Sequence, residues 1–374
     1  MNIARRPLFG SALIAIAACL GLVAGPAATA SPTSAASPFK AGEMAGQASS
    51  HSAAVRNHGN PDIRMLVWYP VASSEVEQPL DAGGPVFVAG AVAGKAPFAD
   101  AMRHPVVLLS HGFGGTARQM TWLGTALARA GYVAVAVDHP GTNGIDGITP
   151  QGAYAPWERV GDLVAALDLV LGDPVIAPHV DGNSVGVAGF SMGGFTGALI
   201  VGARTDFGNF NAFCRSPKRD AICEKQTEFP LDYTQMRQAL EGPAMTQIRE
   251  HEQADLQDRR VKAAFLIDPA LGPAISLASL RQVQVPVTVL YGTADAIAPP
   301  RSNALLIGGS IAGATLVPLP NVGHYDFLSE CSDAARQGGL VYCADGAGRT
   351  RHETHERTSA AAIEFFDLAL HVKR

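Results

Sequence analysis

Positive charge is in short supply. The 374 residues carry 28 Lys and Arg against 33 Asp and Glu, a formal net charge of −5 at pH 7. No segment gathers the basic residues into a patch, so the field that would draw in a nucleic acid is missing and the balance is one of ordinary solubility. Cysteine is also sparse, with five in all. Cys214, Cys223, Cys331 and Cys343 have no His or Cys two to four residues away, which removes the spacing of a zinc site. His352-Glu353-Thr354-His355-Glu356 looks metal-like, but its histidines are three residues apart rather than the four that a zinc-protease helix needs. No internal repeat is visible, which sets the repeat architectures aside.

What is present begins with a leader. Arg5 and Arg6 precede an apolar run from Leu8 to Ala24, and Ala28-Thr29-Ala30 offers a small-x-small cleavage site. Residues 1–30 are expected to be a secretory signal peptide, too short and too weakly flanked to anchor the chain in a membrane. Two alternatives use the same residues: a lipoprotein box ending at Cys19, and a twin-arginine signal at Arg5-Arg6. Against the first, the chain stays apolar after Cys19, where a polar tether is expected. Cleavage near Ala30 leaves about 344 residues, enough for one large α/β domain or two small ones. It also leaves four cysteines, an even number that suits an oxidising compartment, periplasmic or extracellular. Of the three possible pairings, the short spacings favour Cys214–Cys223 and Cys331–Cys343.

Residues 31–55 are rich in Ala, Ser and Gly in their first part and are expected to be a flexible lead-in, with one domain from 56 to 374. Strand patterns fall at Ile63 to Tyr69 (closed by Pro70), Pro105 to Leu109, Tyr132 to Val137, Ser184 to Gly189, Ala263 to Ile267, Val285 to Tyr291 and Thr315 to Leu319. Such short, two-sided apolar runs are typical of strands buried in a parallel sheet. Helical patterns lie between them. Thr121 to Ala130 stops at Gly131, Val160, Val164, Leu167 and Leu171 share a face, Gly193 to Ala203 is small and apolar, and a last helix carries Ile363, Phe366 and Leu370. The alternation predicts an α/β fold, a mostly parallel central sheet with helices on both faces. Residues 205–260 interrupt it with a charged stretch holding one cysteine pair and a weak helical pattern at Tyr233 to Leu240. So long a connection is expected to form a cap over the site; the alternative is a surface excursion.

Chemistry is concentrated at Gly189-Phe190-Ser191-Met192-Gly193. The pentapeptide fits G-x-S-x-G between a strand and a helix, the turn that holds a serine hydroxyl above a sheet edge. A serine becomes nucleophilic only beside a base, and the base needs an acid to orient it. In open α/β sheets these groups collect beyond the carboxyl ends of strands. His324, in the loop after Thr315 to Leu319, is the candidate base. Asp295, directly after Val285 to Tyr291, is the candidate acid, and Asp268, at the end of the preceding strand, is the alternative. The oxyanion donors are expected to be the backbone N–H groups of Met192 and Phe113, the latter in the glycine-rich loop Ser110 to Gly115. His111 is read as holding that loop, and Asp138-His139 as lining the pocket. The set calls for no metal and no organic cofactor.

Ser191, Asp295 and His324, in that chain order, make the sequence similar to the α/β-hydrolase superfamily from about Ile63 onward. Arg64-Met65-Leu66-Val67-Trp68-Tyr69-Pro70, Ser110-His111-Gly112-Phe113-Gly114-Gly115 and Gly189-Phe190-Ser191-Met192-Gly193-Gly194 resemble the branch of platelet-activating-factor acetylhydrolase-like proteins and dienelactone-hydrolase-related hydrolases. That resemblance implies a carboxylic-ester hydrolase acting on a small-molecule ester. Dienelactone hydrolase itself uses a cysteine where Ser191 stands, and the acetylhydrolase takes its acid from the position of Asp268. Gly112 to Gln119 also resembles polyester hydrolases and cutinases. An amidase or peptidase would use the same trio, and a secreted binding protein could keep the scaffold without the reaction.

Overall fold

The apolar runs come together in one sheet. The computed structural model of the chain describes residues 37–81, 84–224, 238, 241–344 and 350–372. Within them the sheet contains β1 (Lys40–Ser49), β2 (Asp62–Val71), β3 (His104–Ser110), β4 (Val133–Val137), β5 (Val180–Phe190), β6 (Val261–Ile267), β7 (Val287–Gly292) and β8 (Thr315–Leu319). Their spatial order is β1-β2-β4-β3-β5-β6-β7-β8. From β4 to β8 every neighbouring pair is parallel, while β2 runs antiparallel to both β1 and β4. Six carboxyl ends therefore face one way. β3, β4, β6 and the second half of β5, from Val185, are almost wholly buried, which is why they read as continuous apolar runs rather than alternating ones.

The lead-in is a correction. From Lys40 the chain is strand, paired with β2 from Lys40↔Val71 to Ser49↔Asp62, and Ser50 then caps the helix α1 (His51–Arg56). Its small residues are there for packing rather than flexibility. A Cβ on Gly42 would come within 2.7 Å of the Tyr69 ring, so a bulky β2 demands a slender β1. β2 also continues through Pro70 instead of stopping there. Beyond Trp68 it pairs with β1 and not with β4, and a strand flanked on one side tolerates a missing N–H.

Helices cover both faces. α2 (Thr121–Arg129) ends before Gly131, whose φ of +91° suits a left-handed stop. α3 (Arg159–Gly172) buries Val160, Leu163, Leu167 and Val170. The inward face is thus turned from the expected one, since Val164 and Leu171 are only half-buried. α4 (Met192–Ile200) is buried nearly all round. Residues 205–260 contribute α5 (Phe207–Arg215) and α6 (Ala244–Glu250), which pack beside Trp157: its indole meets Phe207 and donates to the Ile248 carbonyl at 3.0 Å. The pattern at Tyr233 to Leu240 lies outside the described residues, Gln238 apart. The last helix, α7 (Arg351–Ala369), lays Ala362 and Phe366 on the core. Both cysteine pairs are disulfides, Cys214–Cys223 and Cys331–Cys343. Among the described residues, no helix is long and apolar enough to cross a membrane.

Candidate active site

Ser191 occupies the single residue between β5 and α4, with φ +57° and ψ −118°, a strained conformation for a residue with a side chain. The turn is too tight for anything but glycine on either side. A Cβ at Gly189 would lie 2.1 Å from the Gly193 carbonyl oxygen, and one at Gly193 would lie 1.9 Å from that of Ser110. These collisions are the reason the pattern needs its glycines.

Three strand ends then converge. The Ser191 hydroxyl lies 2.9 Å from His324 Nε2, and His324 Nδ1 lies 2.7 Å from Asp295 Oδ2. Asp295 keeps its other oxygen on the backbone N–H groups of Ile297 (2.7 Å) and Ala298 (2.9 Å), so its side chain cannot swing. Asp268 approaches the same Nδ1 at 3.4 Å; its Oδ1 accepts from the Gly292 N–H at 3.2 Å, and its buried Oδ2 makes no hydrogen bond. Burial and the neighbouring Asp295 charge push the Asp268 carboxyl well above the usual range. Burial also works against ionisation of Asp295, but the charge and hydrogen bond of His324 and the Ala298 N–H outweigh it and hold that carboxyl below its ordinary value. Burial lowers His324, yet the two carboxylates overcome this and raise it. Two acids in contact with one imidazole are thus pushed in opposite directions, Asp295 toward the charged form and Asp268 away from it.

The same three residues are the group of metal-ligating type found among the described residues, their ligand atoms within 4.8 Å of one another. Within that group, His324 Nδ1 is engaged by the Asp295 carboxylate at 2.7 Å.

Gly112 abuts Ser191, since a Cβ there would come within 3.3 Å of Ser191 Cβ. Phe113 follows in the cavity wall. Met192 is the first residue of α4, where N–H groups have no partner within the helix. Met192 thus adjoins Ser191 in the chain, and Phe113 shares the cavity wall with it.

The cavity over Ser191 and His324 has a volume of about 940 Å³. None of the described residues of 205–260 lines it, so for these residues the cap expectation is corrected: they pack on Trp157 instead. The wall is built elsewhere. Residues 86–88 pair with 330–332 through Val88 N–H to Glu330 O (2.7 Å) and Ser332 N–H to Val86 O (2.8 Å). Phe87 and Tyr342 face each other with ring centres 6.1 Å apart, behind the Cys331–Cys343 bridge. Sequence reasoning missed this wall; the available signal was a cysteine pair starting seven residues after His324.

Of Asp138-His139, only Asp138 lines the cavity. His139 is wholly buried between Asp162 and Ser110, because its ring is needed as a hydrogen-bond bridge beneath the loop. His111 is likewise buried and holds the loop, bonded to Gly112 O and to the His139 N–H. In the metal-like stretch the two histidines separate: His352 pairs with Glu330 at the surface, whereas His355 stacks on Trp122 and donates to the Leu328 carbonyl.

A family model described as "Alpha/beta hydrolase family" matches residues 106–337, more than half of the chain. The chain belongs to the alpha/beta hydrolase family. This hydrolase is 30% identical over 102 residues to Cutinase est2 of Thermobifida alba, a stretch covering 27% of the chain and 31% of that relative. It superposes on a solved ferulic acid esterase of Streptomyces cinnamoneus with a TM-score of 0.55, at 20% identity and 92% coverage of each chain. At that identity the likeness is one of fold.

Proposed function

We propose that the protein is an exported serine carboxylic-ester hydrolase working through an acyl-enzyme. The observation that carries this reading is the unbroken hydrogen-bonded line Ser191–His324–Asp295 opening into the cavity. Ser191 Oγ attacks the ester carbonyl as His324 Nε2 takes its proton, and Asp295 stabilises the imidazolium. Phe113 and Met192 donate their N–H groups to the oxyanion. Collapse expels the alcohol, which receives the proton from His324. Water, deprotonated by the same ring, then attacks the acyl carbonyl and frees Ser191 and the acid. The reaction needs no metal and no cofactor.

The names of the cutinase and the ferulic acid esterase favour esters over amides, and the loops at 110–115 and 189–194 support the acetylhydrolase-like and dienelactone-hydrolase-related branch. The two disulfides support export. Phe87, Phe190, Ile297, Leu328 and Tyr342 give the cavity apolar walls, with room for a lipid-like or other apolar group larger than acetyl. A walled cavity suits a soluble ester better than a flat polymer.

Fluorophosphonate probes of short and long alkyl chain test the reading. Both should modify the peptide containing Ser191, the long one faster, and Ser191→Ala should take no label. An unmodified wild-type protein would instead favour a binding protein on the same scaffold, and a label on another residue would sink the assignment.

A further inference from the structure

Beneath the loop of residues 110–115 lies a buried polar network that the proposed reaction does not use. Arg56 grips Asp162 with two bonds, Nη2 to Oδ1 at 2.6 Å and Nη1 to Oδ2 at 3.1 Å. Asp162 Oδ2 accepts the Nδ1–H of His139 at 2.9 Å, and the Ser110 hydroxyl donates to His139 Nε2 at 2.9 Å. This repeats the bonding of the catalytic trio, but Ser110, His139 and Asp162 are all fully buried and none of them lines the cavity. No substrate reaches this serine.

What the network does reach is His111. The backbone N–H of His139 donates to His111 Nε2 at 3.1 Å. An Nε2 that accepts leaves the proton on Nδ1, and burial keeps the ring neutral by lowering its pKa well below the ordinary histidine value. His111 Nδ1–H donates to the Gly112 carbonyl oxygen at 2.6 Å, which also accepts the Gly115 N–H at 3.1 Å. Arg159 holds the His111 carbonyl.

A trans peptide is planar, so its carbonyl oxygen and the following N–H point in opposite directions. With the Gly112 oxygen tied back to the His111 ring, the Phe113 N–H is turned the other way. Gly112 itself lies against Ser191. We propose that His111 is a positioning residue: by holding the Gly112 carbonyl it sets the plane of the Gly112–Phe113 peptide and so aims the Phe113 N–H at the oxyanion. His139, Asp162 and Arg56 act one step further back, holding His111 in the tautomer that can do this. The inference rests on the ester-hydrolase reading above.

The test compares wild type with His111→Ala, His111→Asn and His111→Gln. It measures kcat and KM on p-nitrophenyl butyrate, inhibition by an alkyl boronic acid that forms a tetrahedral adduct with serine, and thermal stability. Loss of a working oxyanion donor costs about 10²–10³-fold in kcat. His111→Ala should approach that loss with KM little changed, and boronate affinity should fall in parallel. The asparagine amide occupies the place of Nδ1 and can donate to Gly112 O, so His111→Asn should regain most of the activity. Glutamine places its amide near Nε2 and should not. A folded His111→Ala with kcat within about twofold of wild type overturns the proposal, as does equal kcat for the Asn and Gln variants, which remains decisive if the alanine variant fails to fold. A wild type that is inactive and unlabelled at Ser191 would remove the hydrolase reading; an active wild type with those variant results removes the positioning role alone.

Discussion

Ser191→Ala should lower turnover of a p-nitrophenyl ester by about a million-fold while leaving a folded protein, since members of such a trio act as a unit and the loss of the nucleophile forfeits nearly all of their joint effect. Rate above the uncatalysed reaction should persist, because the oxyanion donors and the cavity still bind the ester. The fold has little reason to suffer. Ser191 contributes one hydroxyl hydrogen bond, to His324, and alanine is held at the same positive φ by the same close backbone packing around Gly189 and Gly193. Circular dichroism and a melting curve verify the second half of the expectation, and stopped or continuous ester assays the first. Comparable turnover in the two proteins would place the chemistry elsewhere.

The double variant Asp295→Asn/Asp268→Asn should lose about 10⁴-fold in kcat, the loss seen when the acid of such a trio becomes an amide and the imidazole takes the wrong tautomer. Asp295→Asn alone should lose clearly less. Asp268 is 3.4 Å from the same Nδ1, and burial, then the Asp295 charge, disfavour its ionisation. With that charge gone, Asp268 can ionise and hold the Nδ1 proton in its place. A single Asp295 variant as impaired as the double one would show that Asp268 gives no such support.

The pH profile separates the two acids further. His324 is raised above the ordinary histidine value near 6.5, chiefly by the Asp295 charge working against burial. The base must be neutral, so kcat/KM should rise with pH along a limb displaced to the alkaline side of that value. Asp268 adds to the raising of His324. Asp268→Asn should therefore move the limb toward acid, and an alkaline shift would contradict the charge assignment.

Much of the fold was legible because a parallel sheet writes itself locally. β3, β4 and β8 were readable within one residue at each end from apolar runs alone, and α4 from the small residues after Gly193. β1 was not, because its Ala and Gly content matches that of a linker and only the bulk of Tyr69 across the pair explains it. The face of α3 was misjudged for a related reason. Arg159 and Asp162 are buried there, held by partners far away in the chain, and a hydrophobic pattern gives no weight to charged residues that turn inward.

By itself, the sequence determined the strand-to-helix turn at Ser191, the placing of Ser191, Asp295 and His324 in loops that follow strands, and the short spacings at which the cysteines pair. Each depends on residues close together or on the rule that loops after parallel strands gather at one edge. Tertiary structure alone decided the rest: that two carboxyl groups share His324 at 2.7 and 3.4 Å, that the wall of the cavity is the 86–88 strap against the Cys331–Cys343 loop, and that Arg56 reaches Asp162 beneath the loop beside Ser191. Those contacts join segments separated by up to some 245 residues, and their geometry comes into being only when the sheet has assembled and close packing has chosen which side chains meet.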